Sequence, residues 1–390
     1  MRDEYDVIVV GGGPAGSITA KTAAEKGCDV LLIEKRQEIG DPVRCGEACN
    51  RHIISKYVDL DPKWISTEIS GTRIYSPDGT PIIMSEDADK PGAVLERKIF
   101  DVDLAQYAAK AGAEICVKTS AIGIIKSSNS ICGVKVRSYG EEFEIRSKIV
   151  VGADGVESKV GRWAGINTTL KLKDVETCAQ YLMSDIDVDQ DFCEFIMGNT
   201  VSPGGYAWIF PKGKKMANVG VGVAGNRTNE MMPIDCLKKF ANNRFPDGKT
   251  IGFVVGAVPT SGPIEKTIVN GMLLVGDAAR QSDPITGGGI HNAMECAKIA
   301  GDVIADAISK KDYSTKILGK YEKDWRSTVG KTIEKNYRIK EMFLKMNDKQ
   351  LDDLAHSLKD VKFSEMSTLA FIKQLIKQNP KMFLELRSLF

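Results

Sequence analysis

The feature that most constrains this chain is a glycine-rich turn close to its start. Tyr5 to Val10 reads as a fully buried strand that runs into Gly11-Gly12-Gly13-Pro14-Ala15-Gly16. A helical pattern follows to about Lys26, then a second strand from Asp29 to Glu34. This is a complete β-α-β unit, and each glycine has a physical reason. Gly11 permits the tight turn, Gly13 lets backbone approach a pyrophosphate, and Gly16 lets the helix lie close to the strand. The first helical turn then offers free N–H groups and a positive dipole end to phosphate. Glu34 stands 23 residues after Gly11, where a carboxylate accepts hydrogen bonds from ribose hydroxyls and disfavours a 2′-phosphate. The unit is a dinucleotide site, and these residues alone leave NAD and FAD both open.

Composition narrows the class. At 390 residues, 43% hydrophobic and 27% charged, the chain can bury a large core divided over two or three lobes. Lys plus Arg number 53 against 52 Asp plus Glu, a balance with no bias toward nucleic acid. The nine cysteines are odd in number and scattered, which favours a reducing compartment. With no basic-then-apolar leader and no run of about 18 apolar residues, a cytoplasmic, non-spanning protein is expected. No metal site is expected.

Three downstream segments decide between the dinucleotides. Leu95-Glu96-Arg97 opens a helical stretch to about Ala111, ended by Gly112 and followed by a strand over 114–118. Ile149 to Gly155 is a strand ending in Gly-Ala-Asp-Gly, with Asp154 a site residue or a helix cap. Met272 to Gly276 is a strand ending at Asp277, followed by Asp283-Pro284 and Gly287-Gly288-Gly289-Ile290 at the head of a long helix. In these segments the chain resembles the p-hydroxybenzoate hydroxylase-like flavoproteins over residues 1 to about 310. The resemblance implies FAD, with Asp277 on the ribityl chain and the backbone of Gly288, Gly289 and Ile290 on the isoalloxazine. A helix starting after Gly289 points its positive end at the ring edge where a reduced flavin carries negative charge.

Residues 166 to 260 differ in character: short alternating strands, turns at Asn199, Pro203-Gly204-Gly205 and Pro211-Lys212-Gly213, and few long helical patterns. Read by period two, Tyr206, Trp208 and Phe210 share one strand face, as a core stripe or as a cavity wall. The string from Pro203 to Pro211 with Gly220-Val221-Gly222 resembles the substrate-cavity signature of the archaeal geranylgeranyl reductases. So does Pro42-Val43-Arg44-Cys45-Gly46-Glu47-Ala48-Cys49, except that Ala48 replaces the family's usual glycine. The likeness spans nearly the whole chain and its lysine-rich tail, within the digeranylgeranylglycerophospholipid reductases. It implies FAD contacts at Ala15, Glu34, Cys45, Gly46, Ala48, Arg97, Ala121, Asp277, Gly289 and Ile290, beside Gly11, Gly13 and Gly16.

The expected activity is saturation of isolated prenyl C=C bonds in archaeal ether-lipid synthesis. An isolated alkene has no carbonyl to polarise it, so hydride must be paired with a proton through cation-like charge. Tyr206 and Trp208 can stabilise such charge through their ring faces. Cys45 is a packing thiol or a chemical one. The proton donor is open among Cys45, Tyr206 and water, since His52, His291 and His356 form no acid–base pair. With a single dinucleotide fingerprint, electrons come from an external donor: ferredoxin, a deazaflavin or NADH. Competing readings are an FAD monooxygenase or halogenase and a non-enzymatic prenyl carrier.

The expected fold is α/β, α+β overall. A Rossmann-like FAD-binding domain of the hydroxylase type covers 1–165 and 261–310, and an antiparallel β-sheet substrate domain covers 166–260, which 66–95 can join. A C-terminal helical region covers 311–390. Residues 310 to 345 carry eleven Lys or Arg against five Asp or Glu, with Tyr313, Tyr321, Trp325, Tyr337 and Phe343 interleaved. This basic arm reads as a peripheral membrane contact or as a solvated face. Phe363 to Phe390 reads as amphipathic helices closing a tunnel or packing on the catalytic lobe.

Overall fold

The computed structural model describes residues 1–85 and 92–359, so the expectation for Phe363 to Phe390 lies outside the described residues. Five strands run parallel at the heart of the first sheet, in the order Met272–Leu274, Glu141–Gly152, Glu4–Val10, Val30–Ile33 and Glu114–Cys116. Val7, Ile8, Val9 and Val30 to Leu32 are wholly buried, because layers cover both faces of a parallel sheet and its strands must be apolar throughout. Helices Pro14–Glu25, Arg97–Lys110 and Ile290–Lys310 pack on one face. The antiparallel strands Thr119–Ser127 and Ser130–Ser138, which extend the sheet from Glu141–Gly152, and helix Lys159–Trp163 close the other.

The second sheet has seven strands in the order Lys249–Pro259, Val175–Ser184, Met216–Ala224, Tyr206–Pro211, Phe192–Met197, Gly71–Tyr75 and Pro81–Ser85. All neighbours are antiparallel except Phe192–Met197 with Gly71–Tyr75, which run parallel. That one departure from the expected antiparallel sheet occurs where two distant stretches of chain meet and no hairpin dictates direction. The region expected to be poor in long helices also holds a 12-residue helix, Pro233–Arg244. Pro233 sits in its first turn with Asp235, and Cys236, Leu237 and Ala241 bury one side of it against Ala179, Val219 and Val221. This helix covers one sheet face and leaves the other to the aromatic residues.

A small sheet, Ala48–Asn50, Gly92–Leu95 and Ile65–Ile69, joins the two large ones. Helices Thr315–Trp325, Lys331–Phe343 and Asp348–Leu358 follow. The aromatic residues of the basic arm turn inward. Tyr321 and Trp325 are wholly buried; the Tyr321 hydroxyl donates to the Leu274 carbonyl (2.6 Å), and the Tyr337 hydroxyl donates to Asp174 (2.8 Å). Exposed lysines such as Lys316, Lys320, Lys323 and Lys331 form the outer face. Among the described residues no helix is long and apolar enough to cross a membrane.

Candidate active site between the two sheets

The glycine turn ends the first strand of the parallel sheet. Gly11 holds φ +114°, and a Cβ there would lie 2.3 Å from the Ala153 carbonyl oxygen. A Cβ on Gly16 would fall 1.9 Å from the Gly11 oxygen, which fixes how closely helix and strand approach. A Cβ on Gly13 would meet nothing within 4 Å, so that side of the turn is open. The helix begins at Pro14 and Ala15 with no side chain capping its N-terminal amides. Glu34, half-buried, accepts from Gly12 N (2.8 Å) and Arg36 N (3.0 Å), so backbone amides take part of its accepting capacity. Ala121 lies on the strand that starts where Thr119 N bonds the Glu34 carbonyl. Asp154 takes the capping reading: its Oδ2 accepts from Val160 N (3.0 Å), while Oδ1 is buried without a partner.

Asp277 and Gly289 meet at the far end of this cleft, where a Cβ on Gly289 would lie 3.1 Å from Asp277 Oδ1. Burial pushes the Asp277 carboxyl up, against the opposing pull of Arg97 and Arg280, and it accepts no hydrogen bond from the described residues. Helix Ile290–Lys310 starts there, again without a side-chain cap. The preceding turn is organised by Asp283 Oδ1, which accepts from Ile285 N and Thr286 N, both at 2.9 Å. His291 is half-buried in the first helical turn, and burial pulls its imidazole below the usual range.

The Cys45 to Ala48 segment is fixed from the second sheet. Gln180 Nε2 donates to the Cys45 carbonyl (3.2 Å) and Asn218 Nδ2 to that of Gly46 (3.2 Å). Glu47 is buried with φ 74°, strained for a side chain of its size, and its carboxylate is fully engaged. Lys212 Nζ (2.7 Å) and Asn218 Nδ2 (2.7 Å) donate to Oε2, and Arg97 N (2.9 Å) donates to Oε1. Lys212 also reaches Glu96 (3.0 Å) and the Leu95 carbonyl (3.1 Å). Arg97, at the head of its helix, forks onto Asp101 through two 2.7 Å bonds. Burial pushes the Cys45 thiol up, so it stays protonated, and its sulfur accepts from Glu47 N.

The face of the second sheet opposite helix Pro233–Arg244 looks onto this segment, with Trp208 and Phe210 buried against Ile69 and Val94. Tyr206, Trp208 and Phe210 do share one face, together with Phe195, and neighbouring ring centroids lie 5.2 to 6.2 Å apart. Gly220 and Gly222 stand opposite Trp208 and Tyr206. A Cβ on Gly220 would fall 2.2 Å from the Trp208 ring, so glycine there lets the indole lie on the strand. The indole N–H donates to Gln180 Oε1 (2.9 Å), and a Cβ on Gly46 would meet Phe210 at 2.7 Å. The Tyr206 hydroxyl donates to the Thr286 carbonyl, which ties the aromatic strand to the turn before Gly289. Gln180 links Trp208 to the Cys45 carbonyl, and Tyr206 bonds the turn before Gly289, whose neighbour is Asp277, so direct contacts bring these residues together.

Residues to which the sequence reading gave no role hold this arrangement: Glu47, Lys212, Asn218 and Gln180. Glu176, Cys178 and Gln180 alternate along one strand and so share a face, and two polar residues two apart in a strand were the available signal.

The family model of the FAD dependent oxidoreductases matches residues 6–207, and that of the geranylgeranyl reductase catalytic domain matches 174–258. The chain is similar to the digeranylgeranylglycerophospholipid reductase of Methanosarcina acetivorans, 56% identical over 100% of this chain and 97% of the relative. It is 52% identical to that of Methanothrix thermoacetophila, over 98% of this chain and 99% of the relative. A geranylgeranyl bacteriochlorophyll reductase-like protein from Thermoplasma acidophilum superposes with a TM-score of 0.94 at 40% identity, covering 100% of both chains. A flavin-dependent brominase, 20% identical, superposes with a TM-score of 0.71 over 97% of this chain and 99% of its own, a likeness of fold alone. With relatives this similar over their full length, the chain belongs to the digeranylgeranylglycerophospholipid reductases, FAD-dependent oxidoreductases of the geranylgeranyl reductase family.

Proposed function

We propose that this chain binds FAD along the cleft from Gly11 to Ile290 and saturates the geranylgeranyl chains of digeranylgeranylglycerophospholipids in archaeal membrane-lipid synthesis. The observation that carries the proposal is the hydrogen bond from Tyr206 to Thr286, which seats an aromatic face directly against the turn at Gly289. Three features fit FAD: the open side of Gly13, two uncapped helix starts, and a half-buried Asp277 carboxylate that accepts nothing from the described residues. Gly11, Gly13, Ala15 and Gly16 would hold the pyrophosphate, with Arg97 as a cation nearby. Glu34 and Ala121 would flank the adenosine, Asp277 would take the ribityl hydroxyls, and Cys45, Gly46, Ala48, Gly289 and Ile290 would border the ring.

When bound and reduced, FAD supplies hydride to one alkene carbon. The chain's own residues do the rest. The Lys212–Glu47–Asn218 cluster fixes the Cys45 to Ala48 wall, and rigid walls position the alkene, the largest contribution available here. Tyr206 and Trp208 present ring faces to the charge that develops as the alkene takes a proton, worth about 0.5–2 kcal/mol each. Electrons arrive from an external donor: ferredoxin, a deazaflavin or NADH. Exposed lysines of the C-terminal arm rest on anionic lipid headgroups and bring the site to its substrate.

The test is mass spectrometry of a geranylgeranylated glycerophospholipid incubated anaerobically with the protein and either dithionite or one of the donors, with a parallel incubation in air. Two hydrogens should be added per double bond. An unchanged lipid mass from flavin-replete protein would contradict the proposal, and oxygen-dependent hydroxylation would favour a monooxygenase instead.

A further inference from the structure

The reduction needs a proton as well as a hydride, and the aromatic face of the second sheet carries a carboxyl that bonds nothing among the described residues. Glu176 is the second residue of the strand Val175–Ser184 and points to the same sheet face as Cys178 and Gln180, the face that carries Tyr206 and Trp208. Its side chain is 9% exposed, and Oε2 is buried with no hydrogen-bond partner. That oxygen lies 3.0 Å from where a Cβ on Gly205 would be and 4.0 Å from one on Gly222, so two glycines of the aromatic motif make its room. No salt bridge reaches it among the described residues. Lys340 is the nearby cation, but its ammonium is spent on three neutral oxygens: the Thr260 carbonyl (2.9 Å), Thr260 Oγ1 (2.8 Å) and the Lys173 carbonyl (3.1 Å). A buried carboxylate without partner or donor is costly, and the ordinary resolution is to keep the proton.

We propose that the carboxyl of Glu176 is the proton source for the alkene reduction, a role that rests on the reductase reading above. The neighbours argue for it by what they cannot do. The Tyr206 proton is already given to the Thr286 carbonyl. The Cys45 thiol is pushed up by burial from a range already above that of a carboxyl, so it is the weaker acid. Glu176 is lifted by burial to about 8, with Lys340 opposing, which leaves it protonated at neutral pH yet still the strongest neutral acid of the three. Its other titratable neighbours are Cys178 on its own strand and Tyr206 on the aromatic strand. The balance is simple. Hydride adds to one alkene carbon, the π bond breaks, and the Glu176 proton forms the C–H bond at the other carbon. The O–H electron pair stays on the carboxylate, which is reprotonated from solvent.

Glu176→Gln keeps the shape and removes the acid; Glu176→Asp keeps the acid and moves it. With dithionite-reduced, flavin-replete proteins under anaerobic conditions, flavin reoxidation by a geranylgeranylated glycerophospholipid is followed from about pH 6 to about pH 9. The wild-type rate should fall as pH rises through about 8. Glu176→Gln should be slower by roughly 100-fold and flat over the same range, with partial recovery in Glu176→Asp. Independently of turnover, an infrared pH-difference spectrum of the substrate-free protein should show a protonated-carboxyl C=O band that titrates near pH 8 and is missing in Glu176→Gln. A Glu176→Gln protein that reoxidises at the wild-type rate with the wild-type pH profile overturns the proton role alone. A wild type that is never reoxidised overturns the reductase reading beneath it.

Discussion

The two sheets of this protein build their halves of one cleft in opposite ways. The parallel sheet offers backbone: amides at helix starts, glycines where any side chain would collide, and few polar groups beyond Glu34 and Asp277. The seven-stranded sheet offers side chains, with Tyr206, Trp208, Gln180 and Glu176 aimed at one space by strand register. A site made of backbone suits a fixed, charged cofactor, whose phosphates need many N–H groups and close approach. A site made of alternating side chains suits an apolar chain that must be held and protonated at a chosen carbon. The half built on backbone should therefore fail all at once when a glycine is filled, whereas the half built on side chains should fail by degrees.

The largest effect should come from Gly16→Val, whose Cβ would fall on the Gly11 oxygen. Overpacking here costs about 3 kcal/mol or more, and no flavin absorbance should survive gel filtration; a yellow variant would break the comparison. Next is Lys212→Met, which strands the buried Glu47 carboxylate with Asn218 and one backbone amide. Stability in urea should fall by about 3–5 kcal/mol, with much of it restored by adding Glu47→Gln. Third, Trp208→Leu should keep flavin and slow prenyl reduction by up to roughly 30-fold, the kinetic equivalent of about 2 kcal/mol.

Because the folded-state value of Glu176 is raised, the folded protein holds its proton more tightly than the unfolded chain. Stability is then full below the ordinary carboxylate value of 4.5 and is lost as pH rises to about 8. Melting temperature should decline over that window more steeply in the wild type than in Glu176→Gln; identical slopes would deny the raised value. The smallest effect should be on membranes. Replacing Lys316 and Lys323 by Gln should weaken binding to anionic vesicles by about 1 kcal/mol per lysine at low salt and leave the reaction chemistry unchanged.

The same difference explains what could be read from the sequence. Backbone sites leave local marks, since a glycine at a forced φ or a forced contact cannot be replaced, and so Gly11, Gly16 and Gly289 stood out with their strands and helices. The aromatic stripe was visible too, because period two needs only one strand. Glu176 was not: its meaning depends on Lys340, 164 residues later in the chain, being committed to Thr260. Glu47 was seen as part of a motif, but its partner Lys212 looked like an ordinary turn residue after Pro211. The parallel pairing of 192–197 with 71–75 joins strands more than 100 residues apart, and no local pattern encodes it. The arm's aromatic residues suggested a surface, whereas Tyr321 and Trp325 are core anchors whose polar atoms bond the sheet and its turn.

The central claim is that the backbone-built half and the side-chain-built half act on one substrate in one space. Its most direct test is a single anaerobic turnover, in which reduced flavin-replete protein is mixed with a geranylgeranylated glycerophospholipid and flavin absorbance is followed as the lipid is weighed. The account predicts reoxidation matched one for one by double bonds reduced, with two hydrogens added to each, and a rate, but not a flavin content, that falls when Trp208 or Glu176 is replaced. Flavin that stays reduced in the presence of the lipid would contradict it.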